Sequence, residues 1–344
     1  MRSVVLKLHD KRVYVVAELS ANHKQDKTIA LESIHAAARC GADAIKVQTY
    51  TPDTLTIDCD NEYFQIKHGS IWDGQTLYKL YQEAYTPWEW HLELKNCAEK
   101  EGLDFFSSPF DPTAVDFLEN LGVGAFKIAS FEINDLELID YVSSKGKPVI
   151  LSNGVATLAE IYTAVEVCRS RGIEPILLHC ASSYPAKISQ MNLAMIPNLR
   201  SVFGVRVGLS DHTEGSTVAI AAVALGASII EKHFILDKTL GGPDAAFSME
   251  PQDFKKMVEA IRNVEQSIGR VDYGLSEEKR KSRKFMRSLF VVKDIQQGEF
   301  FTHQNVRSIR PGDGMAPVNL REVIGRRAKK NIPRGTPLSW NLIG

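Results

Sequence analysis

Eight short runs of mainly apolar, strand-favouring residues recur along the chain, at 13–18, 44–50, 104–108, 125–130, 148–153, 175–180, 205–211 and 228–234. Each is followed by a stretch whose apolar positions fall three or four apart. Ile29, Ser33, Ala36, Ala37 and Cys40 keep a 3.6 period that Gly41 ends, and 160–171 does the same ahead of Gly172. Continuous apolar runs predict strands buried on both faces, which is the signature of a parallel sheet. Eight even β-α units predict a (β/α)8 TIM barrel rather than an open doubly wound sheet.

Two regions break this rhythm. An insertion at 51–73, carrying Pro52, Tyr63, Phe64 and Trp72, follows the second predicted strand. A long loop in that place belongs to the active face of a barrel, and we expect a lid. After the eighth unit the charged segment 276–284 is expected as a linker between a barrel domain, 1–275, and a second domain, 285–344. In that last part 293–300 and 330–337 share a basic residue, a polar one, Ile, two further positions and Gly, and each is followed by an Asn, Asn305 and Asn341. The repetition predicts a small pseudo-symmetric fold of short strands and turns.

Composition narrows the function. The 344 residues carry a formal net charge of −1 and a pI near 6.8, so no overall field favours nucleic acid or an anionic membrane. The opening Met1-Arg2-Ser3-Val4 lacks the apolar core of a leader, and no stretch reaches the roughly 20 apolar residues of a membrane span. A cytoplasmic protein acting on a small molecule is expected. The five cysteines, Cys40, Cys59, Cys97, Cys168 and Cys180, show no paired spacing and are expected as reduced thiols.

Candidate chemistry lies at the predicted strand ends. Residues two apart on a strand share a face, so Lys46 pairs with Gln48, Ser210 with His212, and Glu231 with His233. Glu18, Ser108, Lys127, Ser130, Glu132, Ser152, Ser182 and Tyr184 also end or follow strands, on the catalytic face of a barrel. Lys46 and Lys127 within apolar strands demand negative partners. These are either Glu18 or Glu132, or an anionic ligand; two lysines and several serines suit a small phosphorylated acid. His212 and His233 end adjacent strands and are expected to converge on one divalent metal, leaving coordination sites for water and substrate. Such a shell suits Mn²⁺, Co²⁺ or Zn²⁺, with Mg²⁺ if water and carboxylate dominate. His23, His91 and His179 are expected as ordinary core histidines.

The motifs Ala17-Glu18-Leu19-Ser20-Ala21-Asn22-His23, Gly41 to Gln48, Phe126-Lys127-Ile128-Ala129-Ser130, Gly208-Leu209-Ser210-Asp211-His212 and Glu231-Lys232-His233-Phe234 resemble the sialic acid synthase family. Arg310-Pro311-Gly312-Asp313-Gly314 resembles the antifreeze-like (SAF) domain carried by those enzymes. The resemblance implies condensation of phosphoenolpyruvate with an open-chain amino sugar, giving a nine-carbon 2-keto acid and phosphate.

The same resemblance assigns roles. Lys46, Lys127, Ser108, Ser130, Ser152, Ser182 and Ser210 would hold phosphoenolpyruvate, His212 and His233 the metal, and Glu18 would take a proton from the attacking water. Glu132, Gln48, Tyr184 and Asp244 would orient the sugar. Arg310 would reach the active site of a second copy, in a domain-swapped homodimer. The stretches 48–56, 71–74 and 85–91 are similar to members that use 2,4-diacetamido-2,4,6-trideoxy-altrose, so pseudaminic acid is the expected product. Ser182 stands where many relatives have asparagine, which weighs against the N-acetylneuraminate alternative; legionaminate is the other.

Two rival readings make different predictions. A metal-independent aldolase would form a Schiff base on Lys127 with a keto acid and ignore chelators. A carbohydrate-binding protein would need neither the lysines nor the histidine pair.

Overall fold

The computed structural model describes residues 12–67, 69 and 71–344; the opening residues, expected not to form a leader, lie outside these. The chain forms two compact units, the first ending at Gly269 and the second spanning Arg270–Gly344. That division precedes the expected boundary at 275, and the segment expected as a linker contains a helix, Glu277–Ser282, followed by a 3-10 turn, Arg283–Phe285.

In the first unit eight parallel strands close into a barrel: β1 Tyr14–Glu18, β2 Ala44–Thr49, β3 Asp104–Pro109, β4 Phe126–Ile128, β5 Val149–Ser152, β6 Ile176–His179, β7 Val207–Asp211 and β8 Ile229–His233. Each lies within its predicted run except β3, which extends one residue further. Helices Lys27–Arg39 and Leu158–Ser170 begin at the side-chain caps Asp26 and Thr157, the latter in a capping box with Glu160.

Strand parity explains where the chemistry lies. Tyr14, Val16, Phe106, Ile150, Ile176, Leu178 and Ile229 form one apolar cluster, whereas Val15, Ala17, Ile45, Val47 and Ile230 pack in the larger cluster that includes the helices. Continuing the inner row by steps of two leads from Val16 to Glu18, from Phe106 to Ser108, from Ile150 to Ser152 and from Ile229 to Glu231 and His233. The row turns from apolar to polar at the carboxyl end. The off-parity charges Asp211 and Lys232 pair with each other at 2.8 Å, both buried.

The insertion after β2 contains helix Pro52–Leu55, a bridge between Gln65 and Thr76, and then helix Leu77–Ala84. In the second unit β9 Ser288–Val291 pairs antiparallel with β10 Val306–Ile309. The two repeated motifs meet each other: Ile295 and Ile332 exchange backbone hydrogen bonds of 2.9 and 2.8 Å. Their shared glycines, Gly298 and Gly335, turn the chain with φ of 83° and 85°, where a side chain would be strained.

The three histidines expected in the core are buried and bonded. His23 Nε2 lies 3.2 Å from Thr86 Oγ1, His91 Nε2 lies 2.8 Å from Thr49 Oγ1, and His179 Nε2 donates to Met191 O at 2.6 Å. Burial pushes His23 and His91 down to about 4. A histidine with a depressed folded pKa stabilises fully above its unfolded value near 6.5 and loses that contribution as pH falls toward 4, by up to roughly 3 kcal/mol each. We expect the urea midpoint to fall between pH 7 and pH 5, and to fall less in His91→Gln. An equal fall in the variant would contradict this assignment.

Candidate active site

The register of β8, β1 and β2 sets Glu18 beside both His233 and Lys46. Lys46 Nζ lies 2.7 Å from Glu18 Oε2 and 3.7 Å from Glu231 Oε2, all three side chains being almost fully buried. Ser210 Oγ donates to Glu231 Oε1 at 2.9 Å, and Gln48 Nε2 donates to Ser20 Oγ at 3.0 Å and Glu18 Oε1 at 3.4 Å. Burial raises Glu18 to about 7 against the pull of Lys46. Glu231 resists the same burial because Lys46 and Lys127 hold it low. One ammonium between two carboxylates thus leaves Glu231 charged and Glu18 able to take a proton near neutrality. Lys46 therefore has the internal partner that was the alternative to an anionic ligand.

Lys127 differs. Its Nζ donates to Ser152 Oγ at 2.6 Å and Ile128 O at 3.2 Å, both neutral oxygens, and burial lowers its pKa. Beside it Ser182 Oγ donates to Ser130 Oγ at 2.8 Å, Gly154 N–H donates to Ser130 Oγ at 2.9 Å, and Cys180 Sγ lies 3.1 Å from that oxygen. A Cβ on Gly154 would stand 2.2 Å from Ser182 Oγ, so only glycine admits this cluster. Ser108 Oγ and Asn153 Oδ1 are buried without a hydrogen bond. A buried cation among hydroxyl and amide donors is suited to carboxylate or phosphate oxygens.

His212 and His233 stand with ring centroids 5.3 Å apart, each under 10% exposed. His212 Nδ1 donates to Ala181 O at 3.3 Å, which leaves its Nε2 lone pair available. His233 Nδ1 is buried with no hydrogen bond, 3.7 Å from Asp244 Oδ2. Burial pushes His212 down to about 4 and His233 well below its usual value, so both rings are neutral near pH 7. Neutral imidazoles with free lone pairs fit a metal bound by two protein nitrogens with water and substrate completing its shell. Among the described residues no group of three or more His, Cys, Asp or Glu side chains converges in the manner of a closed metal site.

Aromatic rings wall this side. Tyr184 lies 4.5 Å from His212 and 5.2 Å from Phe247, while Phe247 lies 4.9 Å from His233. Trp72 of the insertion lies 5.6 Å from Tyr184. Glu132, in the 3-10 turn after β4, has a buried, unbonded Oε2 and is raised by burial to about 7. Asp244 accepts from Ala21 N–H at 3.3 Å and is also raised by burial. Arg310 is exposed in the second unit. A neighbouring cavity of about 360 Å³, lined by Glu214, Lys238, Glu250 and Lys256 among others, borders Phe247 but carries mixed charges, and its Lys232 is already held by Asp211.

Sequence reasoning missed Phe247, Cys180 and Gly154 as parts of the site. Phe247 follows no strand, so position gave no signal for it. Cys180 shares the inward parity of Leu178 and was open to the same argument that found Ser152.

Comparison with known proteins agrees with this arrangement. The NeuB family pattern matches residues 33–273 and the SAF domain pattern residues 286–343. The chain is 48% identical over 327 residues to the pseudaminic acid synthase of Helicobacter pylori, covering 94% of this chain and 96% of that protein. It is 34% identical over 336 residues to the N,N'-diacetyllegionaminic acid synthase of Legionella pneumophila, covering 96% and 94%. The structure of N-acetylneuraminic acid synthetase from Leptospira borgpetersenii, in complex with citrate, aligns with a TM-score of 0.71 at 33% identity over 79% of this chain and 90% of that one. With its closed barrel, its ring of strand-end polar residues and both segments matched in order, the chain belongs to the NeuB family.

Proposed function

We propose that the chain condenses phosphoenolpyruvate with 2,4-diacetamido-2,4,6-trideoxy-altrose, giving pseudaminic acid and phosphate. The observation that carries the choice of sugar is the near-full-length likeness to pseudaminic acid synthases of Helicobacter pylori and Campylobacter jejuni, at 48% and 46% identity. What supports phosphoenolpyruvate is Lys127, a buried cation bonded only to neutral oxygens beside the serine cluster.

In this reading Lys127, Ser130, Ser152 and Ser182 hold the phosphate and carboxylate, with Ser108 Oγ and Lys46 completing the donors. His212 and His233 hold a divalent ion, which when bound supplies Lewis acidity at the sugar's aldehyde oxygen. C3 of phosphoenolpyruvate bonds to the aldehyde carbon, and positive charge develops at C2. Glu18, buried and bonded to Gln48, takes the proton of the water that adds to C2. The C2–O bond then breaks as the C2 hydroxyl gives its proton to the departing phosphate, and the proton held by Glu18 passes to the oxygen of the former aldehyde, which becomes a hydroxyl. Glu231 stays ionised beside Lys46 and stabilises the cationic centre. Glu132, Asp244, Gln48 and Tyr184 orient hydroxyls and amides of the sugar. The working unit is a cytoplasmic homodimer in which Arg310 serves the second copy's site. Residues lining a buried, polarised site of this kind exceed what a carbohydrate-binding module uses.

The test is phosphate release from phosphoenolpyruvate by metal-loaded enzyme with this sugar and with N-acetylmannosamine at matched concentrations. We expect strong preference for the first. Preference for N-acetylmannosamine would assign an N-acetylneuraminate synthase instead.

A further inference from the structure

We infer that Trp72 sets the enzyme's preference for a sugar bearing methyl and acetamido groups where common hexosamines bear hydroxyls, by packing its indole against them. The inference rests on the proposed sugar condensation and names the residue that enforces its selectivity. Trp72 comes from the insertion after β2, yet its Nε1–H donates to Pro243 O at 2.9 Å, far along the chain beyond β8. That bond fixes the ring from the loop that also carries Asp244. The indole lies 5.6 Å from Tyr184 at an interplanar angle of 47°, and Tyr184 in turn flanks His212 and Phe247. Trp72, Tyr184 and Phe247 therefore make a continuous aromatic wall beside the histidine pair where the aldehyde end of the sugar reacts.

The wall has polar borders. Asp244 Oδ2 stands 3.7 Å from His233 Nδ1, and Phe247 packs 4.9 Å from the same ring, so an acceptor for hydroxyl and amide hydrogens borders ring faces that offer none. A methyl or acetamido group gains by covering an aromatic face, whereas a hydroxyl pressed there loses water without finding a partner. Trp72 contributes from an insertion rather than from the barrel itself, so its ring can differ while the strand-end chemistry stays the same.

The experiment compares wild type, Trp72→Ala and Trp72→Phe with the diacetamido trideoxy sugar and N-acetylmannosamine at saturating phosphoenolpyruvate. A methyl-sized contact in an apolar pocket discriminates by roughly tenfold or more. We expect Trp72→Ala to raise KM for the first sugar about tenfold, with little change in kcat, and to narrow the ratio of kcat/KM between the sugars by the same factor. Trp72→Phe keeps most of that ratio, because it keeps a ring against Tyr184 while losing the bond to Pro243. KM for phosphoenolpyruvate and the melting temperature stay as in wild type. An unchanged sugar ratio in Trp72→Ala would overturn the inference, as would a Trp72→Phe variant that behaves like Trp72→Ala. A wild-type enzyme inactive on the first sugar would sink the functional reading, and this inference with it.

Discussion

Replacing His233 with alanine is expected to lower phosphate release by at least about a thousandfold while leaving the barrel folded. A group that polarises a reacting carbonyl supplies several kcal/mol at the transition state, and each 1.4 kcal/mol is about tenfold in rate. The fold does not depend on this ring for a hydrogen bond, since Nδ1 has none. The ring's neighbours include His212, Phe247 and Asp244, and the backbone of His233 stays in its pairing with Glu18. Unchanged circular dichroism and melting, together with loss of bound divalent ion by elemental analysis, would show that the site alone was removed. Full activity in His233→Ala would sink the two-histidine assignment. Extensive dialysis against a chelator should remove the wild-type activity and restored Mn²⁺ or Co²⁺ should return it.

Replacing Lys127 with methionine is expected to raise KM for phosphoenolpyruvate at least about thirtyfold, since losing one partner of a buried charged contact costs about 2–5 kcal/mol of binding. Stability should hold or rise. Lys127 makes its hydrogen bonds to neutral oxygens, so in the unliganded protein the desolvation of its ammonium outweighs the pull of Glu231, which it does not contact directly. Lys46→Met should behave in the opposite sense, because it strands Glu18 and Glu231 together and should destabilise by about 3–5 kcal/mol. Phosphoenolpyruvate should raise the melting temperature of wild type and not of Lys127→Met. A Lys127→Met enzyme with normal KM for phosphoenolpyruvate would remove the anion site from the mechanism. Trapping of pyruvate on Lys127 by borohydride would instead revive the Schiff-base chemistry that its lowered pKa permits.

The barrel was legible because its evidence is periodic: strand runs and helix stops such as Gly41 and Gly172 recur eight times over. Parity carried that legibility into the site. Once Glu231 and His233 are assigned to one face, Lys232 must point outward, and the structure finds it paired there with Asp211. Partner choice was less legible. Sequence placed Lys46 and Lys127 in one class, and only the register of adjacent strands separates a lysine held by two carboxylates from one held by a serine. Residues on connections were least legible, because no period constrains them. Phe247 acquires its role from where the β8 connection folds back, and Trp72 acquires its role through a bond to Pro243. The segment 276–284 was hard to read for a related reason: charge alone does not distinguish an exposed linker from the exposed helix Glu277–Ser282.

The most direct test of the condensation mechanism follows the bridging oxygen of phosphoenolpyruvate. With oxygen-18 in the C2–O–P bridge, the enzyme and the diacetamido trideoxy sugar should give inorganic phosphate carrying the label and an unlabelled nine-carbon keto acid of the mass of pseudaminic acid, its C2 oxygen drawn from water. Label retained in the keto acid, or pyruvate released in its place, would contradict water attack at C2 with C–O cleavage, and with it the role of Glu18 as base.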